Sequence, residues 1–253
     1  MPVNTPEWKL AHAPIVEAVL DIDCDVPLPE GIGPLEGTAR ARFRDTYPKF
    51  RKQLLQGYQI RQSLDEPPQV STQRGIQAFQ FLQEDEKQLV QVRAQGFSFN
   101  RLAPYASLDD YLPEIERTWR LFVEITSPVQ IRQIRLRYIN RILLPLTEGR
   151  VELGEYLKAA PQLPDESALQ LTGFLSQTAA VERETGSEVK IILTNQVEQG
   201  GQLPVILDIE ASRQGTSEPE DWNWILSEVQ SLRGLKNRVF RDTLTTKCLE
   251  LFL

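Results

Sequence analysis

This chain has few of the residues that most often bind zinc or act as nucleophiles in catalysis. Its 253 residues include two cysteines, Cys24 and Cys248, and a single histidine, His12. A zinc site draws on several cysteine and histidine ligands, and Cys/His or Ser/His/Asp catalysis needs a histidine beside the nucleophile. The neighbours of His12 suggest no proton relay, so a solvated or locally hydrogen-bonded histidine is the simpler interpretation. We therefore expect no metal site and no catalytic residue of these types.

Other absences bear on location and on ligands. No apolar stretch approaches the ~20 residues needed to cross a bilayer. The N-terminal segment lacks the basic region followed by an apolar region that marks an export signal, and two distant cysteines fit a reducing compartment. The segment GIGP at Gly31 lacks the third glycine of a phosphate-binding loop, and no Walker, kinase or nucleophile-elbow motif is present. We expect a cytoplasmic protein that uses no cofactor and binds no membrane.

The composition is that of a folded, acidic protein. Hydrophobic residues make up 41% of the chain and charged residues 25%, which is typical of a soluble globular domain. The 28 Lys and Arg residues against 35 Asp and Glu residues leave a net charge of −7. This charge disfavours nucleic acid as a partner, since non-specific affinity for it depends on neutralising phosphates. The length suits one large domain or two closely packed halves.

Residues 15–26 alternate between apolar and polar positions, which predicts a half-buried strand. Glu17, Asp21 and Asp23 share its polar face. Carboxylates at alternate positions of a strand lie about 6.5–7 Å apart and could hold Mg²⁺ or Ca²⁺. Such sites usually take further ligands from a second segment, so we interpret these carboxylates as an acidic, solvent-facing strand face.

Residues 131–144 form a second alternating segment with charge of the opposite sign. Arg135, Arg137 and Arg141 share one face of the predicted strand, and Asn140 lies among apolar residues on the other. Asn140 is therefore predicted to join a polar network inside the core. Three arginines side by side repel one another unless anions or carboxylates lie opposite.

The two charged segments lead to a structural hypothesis and a functional one. In the first, Glu17 and Asp21 pair with Arg135 and Arg137 across neighbouring strands and define their register. In the second, the same arginines receive an anion, because guanidinium groups bind phosphate and carboxylate in a bidentate manner.

An anion receptor of this kind could also include residues of an adjacent strand. Arg101 and Arg93 lie on the predicted strand 88–102 and are the candidates.

The remaining pattern predicts helices and strands in an order that occurs twice. Helices are predicted at 38–56 with a kink at Pro48 and an end at Gly57, from Ser107 to Pro128, at 151–159, and from Pro219 onward with a break at Gly234. Further strands are predicted at 58–63, at 76–82, at 88–102 with a bulge at Gly96, at 168–181, at 188–197 and at 205–211.

This order predicts an α+β fold built as a tandem β-α-β(3-4)-α pseudo-repeat. The N-terminal half would be residues 1–128 and the C-terminal half residues 129–253, packed as one globular unit. Together they would form a curved antiparallel sheet with long helices on one face. The topology resembles the duplicated saddle of TATA-binding-protein-like or helix-grip proteins, although none of their motifs is present. A single α+β domain without internal symmetry is the alternative.

Several segments resemble the landmarks of a sporadically distributed family of bacterial proteins that is about as long as this chain and has no assigned biochemical function. They run from the first strand to the C-terminus and are APIVEAVLDI (13–22), FSFNRLAPY (97–105), the helix around Trp119, LRYINRILLP (136–145), LDIEA (207–211) and FRDTLTTKCLELF (240–252). Scattered occurrence is typical of mobile or defence-linked genes, so the resemblance implies a setting in bacterial defence.

These features favour a non-enzymatic protein-binding, assembly or regulatory module of a bacterial cytoplasmic system. The resemblance adds a role as an accessory protein of a CRISPR or toxin-related system, with another protein as the partner. The alternative is a nucleic-acid-binding or phosphoryl-processing subunit, because carboxylates that hold Mg²⁺ and cations that hold phosphate are the residue types such chemistry needs. Convergence of the acidic and basic residues around an unfilled pocket would favour this alternative, and a closed ladder of ion pairs would favour the binding module.

Overall fold

The structure, a computed structural model, describes residues 10–63, 66–165 and 168–253. This part of the chain has a mixed α+β fold with nine strands and five α-helices. In chain order the strands are β1 (Ile15–Asp25), β2 (Lys49–Ser63), β3 (Glu66–Leu82), β4 (Gln88–Arg93), β5 (Gly96–Leu102), β6 (Gln130–Pro145), β7 (Leu175–Val181), β8 (Glu188–Asn195) and β9 (Gln202–Ser217). The helices are α1 (Glu36–Phe43), α2 (Leu108–Thr126), α3 (Leu153–Tyr156), α4 (Trp222–Thr243) and α5 (Thr246–Glu250).

The nine strands form one antiparallel sheet in the order β2-β3-β4-β5-β1-β6-β9-β8-β7. Strands β1 and β6 are hydrogen-bonded neighbours near its centre, where Leu20 lies opposite Leu136 and Asp21 lies opposite Arg135. The predicted strands 15–26 and 131–144 therefore both form and share one hydrogen-bonded surface.

Alternation along β1 and β6 decides which side chains enter the core. Leu20 and Ile22 of β1 and Ile134 and Leu136 of β6 are at most 2% exposed, and all of them lie on the same side of the sheet. Burying each such side chain contributes about 1.5–3 kcal/mol relative to exposure. A slip of one residue would turn this apolar set toward solvent, so the register of the central pair is strongly specified.

The two long helices cover this apolar side of the sheet. In α2, the ring of Trp119 lies 5.7 Å from the ring of Phe97 in β5. In α4, Nζ of Lys236 lies 3.8 Å from the ring centre of Tyr138 in β6. Both strand residues point to the same side as the buried residues of β1. The prediction that long helices pack on one face of an antiparallel sheet is confirmed for α2 and α4.

Helix α2 forms as the sequence predicts. Ser107 has an extended backbone and its hydroxyl accepts a hydrogen bond from the backbone N–H of Asp109 at 3.3 Å, which caps the first turn. The helix ends at Thr126, two residues before Pro128. Indole Nε1 of Trp119 donates a 2.9 Å hydrogen bond to the carbonyl oxygen of Pro219, which ties the middle of α2 to the start of the last helical region.

The helix predicted at 38–56 is wrong beyond its first part. Helix α1 ends at Phe43, and residues 49–63 form β2 instead, so Gly57 lies within a strand and not at a helix end. Pro48 disfavours helical backbone at the residue before it, which separates the two elements. The ring of Phe43 stacks on Phe81 at 4.6 Å, and Phe50 packs against the same ring at 5.3 Å. A helix and a strand thus supply apolar residues that the sequence spacing assigned to one helix.

The single strand predicted at 88–102 is a hairpin of β4 and β5, and Gly96 is the first residue of β5, directly after the turn, and not a bulge. Gly96 has φ +143°, and a Cβ at this position would lie 2.1 Å from the carbonyl oxygen of Ile22 in β1. Only glycine fits both this backbone conformation and this close approach.

Three further boundaries differ from the prediction. Helix α4 continues through Gly234. Leu232 and Leu235, on either side of the glycine, are both buried in the core, and this packing stabilises the helix there. The helix predicted at 151–159 shortens to α3, and the strand predicted at 168–181 forms only at its end, as β7. None of the helices in the described ranges has the length and apolar character that a membrane crossing requires.

Candidate functional site

The side of the sheet opposite α2 and α4 carries the charged residues that the sequence singles out. We call this side the open face. Strand alternation and register assign to its central part Glu17, Asp21, Asp23, Arg93, Ser98, Asn100, Arg135, Arg137, Ile139, Arg141, Lys190, Ile192, Ile206, Asp208 and Glu210.

Two aspartates and two arginines form the centre of the open face. Asp23 lies between Arg93 of β4 and Arg135 of β6, with N–O distances of 2.8 Å and 2.6 Å. Asp21 lies 3.4 Å from Arg93 and 3.6 Å from Arg135. Asp21 also accepts a short hydrogen bond from the hydroxyl of Ser98. Three strands that are distant in sequence therefore contribute to one charge cluster.

The cluster is partly shielded from water, because its four charged side chains are 19–23% exposed. Burial opposes the positive charge of Arg135, but the attraction of Asp23 and Asp21 outweighs burial and raises the pKa of Arg135. The four charges sum to zero. Their mutual attraction orients each group before any ligand arrives, and no charge is left over for phosphate.

The structural hypothesis for the two charged strands is correct for one pair and wrong for the other. Asp21 does lie against Arg135. Arg137 instead binds Asp208 of β9, through Nε at 2.9 Å and Nη2 at 2.5 Å. These hydrogen bonds raise the pKa of Arg137. Glu17 accepts a 2.8 Å hydrogen bond from the amide of Asn100 in β5. Opposite Arg137 in β1 stands a valine, so the register gives this arginine no carboxylate directly across that strand pair.

The remaining candidates lie in three different environments. Arg141 is on the open face and donates to Gln196 at 3.1 Å and to Gln199 at 2.6 Å. Asn140 is 2% exposed on the helix side, where its amide donates to the carbonyl oxygen of Leu207 at 2.9 Å. The predicted core role of Asn140 agrees with this contact.

Arg101 does not join the other arginines. It pairs with Ala18, which places it on the helix side of the sheet, and its guanidinium lies 5.3 Å from the ring centre of Tyr111 in α2. Between the two arginines of the predicted strand 88–102, it is Arg93 that reaches the open-face cluster, because its register partner Gly96 lies opposite Asp23. The two arginines differ because the β4–β5 turn assigns opposite faces to them.

Partly exposed isoleucines border the charges on the C-terminal side of the open face. Ile139 of β6 lies opposite Asp208 of β9, and Asp208 lies opposite Ile192 of β8. Ile206 lies opposite Arg141. The three isoleucines are half-buried, although they are outside the core cluster between sheet and helices. We call Ile139, Ile192 and Ile206 the isoleucine patch.

On the helix side, sequence reasoning missed a polar cluster at the same central strands. The hydroxyls of Tyr105 and Tyr138 are 2.8 Å apart. Lys236 of α4 is 8% exposed and lies over the ring of Tyr138. Burial and, to a smaller extent, the nearby positive charge of Arg233 lower the pKa of Lys236 to about 7. Arg233 itself lies 2.9 Å from Asp109 at the start of α2. A lysine at a helix position gives no sequence signal that distinguishes it from a solvated one.

The carboxylates of the open face are not arranged as a metal site. Guanidinium groups occupy the positions beside Asp21 and Asp23 that a cation would take. Within the described ranges, no group of three or more His, Cys, Asp or Glu side chains could hold a metal ion. The sequence did not predict Asp208 or Ser98 as residues of the open-face site. Asp208 contacts Arg137 across 71 positions of sequence, and Ser98 contacts Asp21 across 77.

Comparison with known proteins gives no relative from which a role could be carried over. No protein-family model, no curated protein and no solved structure matches this chain. The geometry of the two sheet faces is therefore the basis for a functional proposal.

Proposed function

We propose that this chain is a non-enzymatic protein-binding or assembly module whose open sheet face receives a partner protein. The observation that carries the proposal is the mutual pairing of the central charges. Asp21, Asp23, Arg93 and Arg135 form a closed set, and Arg137 binds Asp208 in a bidentate manner. A surface of this kind holds its polar groups in defined positions and can distinguish partners by charge complementarity.

The isoleucine patch supplies the apolar part of such an interface. Ile139 and Ile206 flank Arg141, while Arg137 is next but one to Ile139 along β6. Protein interfaces combine buried apolar residues with arginine, and a few central residues carry most of the binding free energy. Loss of the apolar area beside Arg141 is therefore expected to weaken binding more than loss of any rim charge.

We further propose that the fold is a tandem pseudo-repeat of residues 1–128 and 129–253, similar to TATA-binding-protein-like or helix-grip proteins. The order of elements along the chain and the order of strands in the sheet both support this proposal. Each half contains a leading strand, a helix, a meander of strands and a long helix in sequence. In the sheet, β5, β4, β3 and β2 follow β1 outward, as β9, β8 and β7 follow β6. The pseudo-dyad would pass between β1 and β6.

The biological setting belongs to the same proposal. We propose that the chain belongs to a sporadically distributed bacterial family and acts in a defence-associated complex of the bacterial cytoplasm. The resemblance of its segments to the landmarks of that family supports this proposal. The helix-side and open-face residues named above are its proposed binding scaffold, with Glu17 and Asn140 as positioning residues.

Affinity capture from the native host tests the proposal when it is made with matched variants. Ile206→Glu places a carboxylate opposite Arg141, with which it can pair, and removes apolar area from the isoleucine patch. Leu54→Glu is the control, because Leu54 is 66% exposed on β2, far from the patch in the strand order. We expect a protein that the wild type and Leu54→Glu both retain and that Ile206→Glu loses. Reconstitution with that purified protein should show the same difference. An identical set of proteins captured by all three forms would contradict the proposal.

The nucleic-acid alternative has one specific observation in its favour. Arg141 donates to the neutral amides of Gln196 and Gln199, so its charge is less compensated than that of Arg137. A salt-sensitive shift with RNA or DNA that is lost in Arg137→Ala and Arg141→Ala would support this alternative over the protein-binding module.

A further inference from the structure

Strand β7 forms one edge of the sheet, and its outer side is open. In the described part of the chain no strand pairs with that side. All seven residues of β7 are exposed, including Leu175 at 73% and Val181 at 61%. An edge of this kind presents unpaired N–H and C=O groups to any other strand that approaches it.

The opposite edge of the sheet is protected in a way that β7 is not. Strand β2 carries Lys49, Arg51 and Lys52 where it joins the sheet, and these cations pair with Glu86 and Glu36. Charges on an edge strand oppose pairing with another chain. Strand β7, with the sequence LSQTAAV, contains no charged residue, no proline and no glycine.

We propose that β7 pairs with β7 of a second copy of this chain, antiparallel and about a two-fold axis through Thr178, so that two sheets join edge to edge. A closed two-fold interface requires a surface that is complementary to itself. With Thr178 opposite its own copy, Leu175 of one chain lies opposite Val181 of the other, twice over. Leu175 and Val181, the two large apolar residues of the strand, both point to the open face, so they cover each other there.

Strand β7 carries no charge that would oppose its pairing with a second copy. Like charges directly opposite each other destabilise a strand pair, and the seven-residue match places none together. The chain carries a net charge of −7, so two copies repel each other at most surfaces, and β7 is an uncharged place where they can meet. The paired strands are short, so we expect a dimer that dissociates on dilution.

Variants of Thr178 test the axis directly, because the proposed axis brings this residue against itself. Sedimentation and light scattering across a concentration series from low micromolar to submillimolar should show the wild type approaching twice 28.9 kDa. Thr178→Lys and Thr178→Glu should each remain monomeric, since two like charges would meet at the axis. An equimolar mixture of the two variants should recover the dimer mass. Gln53→Lys, an exposed change on the β2 edge, is the control and should dimerise like the wild type.

A cysteine at the same position gives a second, covalent readout. Both native cysteines are buried, so they do not compete. Opposed residues of an antiparallel pair have Cα atoms about 4.5–5.5 Å apart, which a disulfide can span. Thr178→Cys should therefore form a disulfide-linked dimer under mild oxidation, and Gln53→Cys should not.

Three results would overturn the inference. A wild type that stays monomeric over the whole series would do so, and so would a dimer that Thr178→Lys leaves intact. Binding of a strand from a different protein to β7, with no self-association of the purified chain, would assign the edge to that other occupant. Correct folding of each variant is checked by its circular dichroism and urea unfolding.

Discussion

The two sides of the central strands differ in whether a buried charged group has a partner of opposite charge. On the open face, Asp23 and its two arginines each lie within hydrogen-bonding distance of an opposite charge. On the helix side, Lys236 is nearly as buried as its apolar neighbours, and no described carboxylate forms an ion pair with it. The charge that acts on its pKa is that of Arg233, which has the same sign.

The difference between the two sides is whether a buried ionisable group has an opposite charge beside it. Removing a charge from water costs free energy that an adjacent opposite charge can offset. Where no such partner exists, the group loses its charge more easily and its pKa moves toward neutrality. The buried Lys236 on the helix side therefore makes stability depend on pH.

The largest expected effect comes from Lys236→Met. With a pKa of about 7 in the folded protein and its ordinary value of 10.5 in the unfolded chain, Lys236 binds fewer protons when folded between these two values. Its contribution therefore makes stability rise with pH from about 7 upward and is constant below that. Lys236→Met should raise the free energy of unfolding at pH 7 by a few kcal/mol, since one pKa unit is about 1.4 kcal/mol.

Urea unfolding between pH 7 and 9 measures this effect as the difference between wild type and variant. The difference should shrink as pH rises. Burial raises the pKa of Cys24 and Cys248 to about 12, so their ionisation in the unfolded chain lowers stability at high pH, but both forms contain them and this contribution cancels in the difference. A difference independent of pH would mean that Lys236 keeps its proton, and the contrast between the two faces would fail.

A smaller effect, in the opposite direction, is expected from Asp23→Ala on the open face, which should lower the free energy of unfolding. The change removes the closest carboxylate of both Arg93 and Arg135 and leaves two partly buried cations with Asp21 at 3.4 and 3.6 Å. Leaving a partly buried charge without its partner should lower the free energy of unfolding by about 1–3 kcal/mol.

The matched control is Asp25→Ala, two positions along the same strand. Asp25 pairs with Arg132 at 2.5 Å, but both side chains are more exposed, at 40% and 54%. An ion pair exposed in this way contributes little to stability, so urea unfolding should show a smaller loss for Asp25→Ala than for Asp23→Ala. Equal losses would indicate that burial does not strengthen the central cluster.

The smallest effect is expected from Glu17→Gln. Glu17 accepts a hydrogen bond from the amide of Asn100, and the carbonyl oxygen of a glutamine can accept it too. The free energy of unfolding, measured with urea, should change by less than about 0.5 kcal/mol. A loss comparable to that of Asp23→Ala would show that Glu17 interacts with Arg137 more strongly than the geometry indicates.

Elements with a regular pattern could be predicted from the sequence, and elements that depend on partners could not. The alternation of β1 and β6 and the 3.6-residue stripe of α2 each correspond to one buried face, so their prediction succeeded. The prediction of one helix at 38–56 was wrong because Phe43 of α1 and Phe50 of β2 both pack on the ring of Phe81, so their spacing resembles that of a single helix face. The need for glycine at position 96 depends on how closely β5 approaches β1, which is a contact across the sheet.

The candidate site divides in the same way. Membership of Asp21, Asp23, Arg135 and Arg137 in one charged surface followed from sequence alternation. Their partners did not, because Arg93 and Asp208 reach the surface through strands whose order in the sheet is not their order in the chain. Arg101 shows the reverse case, since a two-residue turn reverses the face that its strand presents.

By itself the amino-acid sequence determined an acidic α+β protein with two oppositely charged strands and a long amphipathic helix, because alternation and helical periodicity are local properties of a chain. Only the tertiary structure decided which charge meets which, which lysine loses contact with water and which edge of the sheet is left open. Those outcomes depend on strand order and helix placement, which arise from packing between segments far apart in sequence.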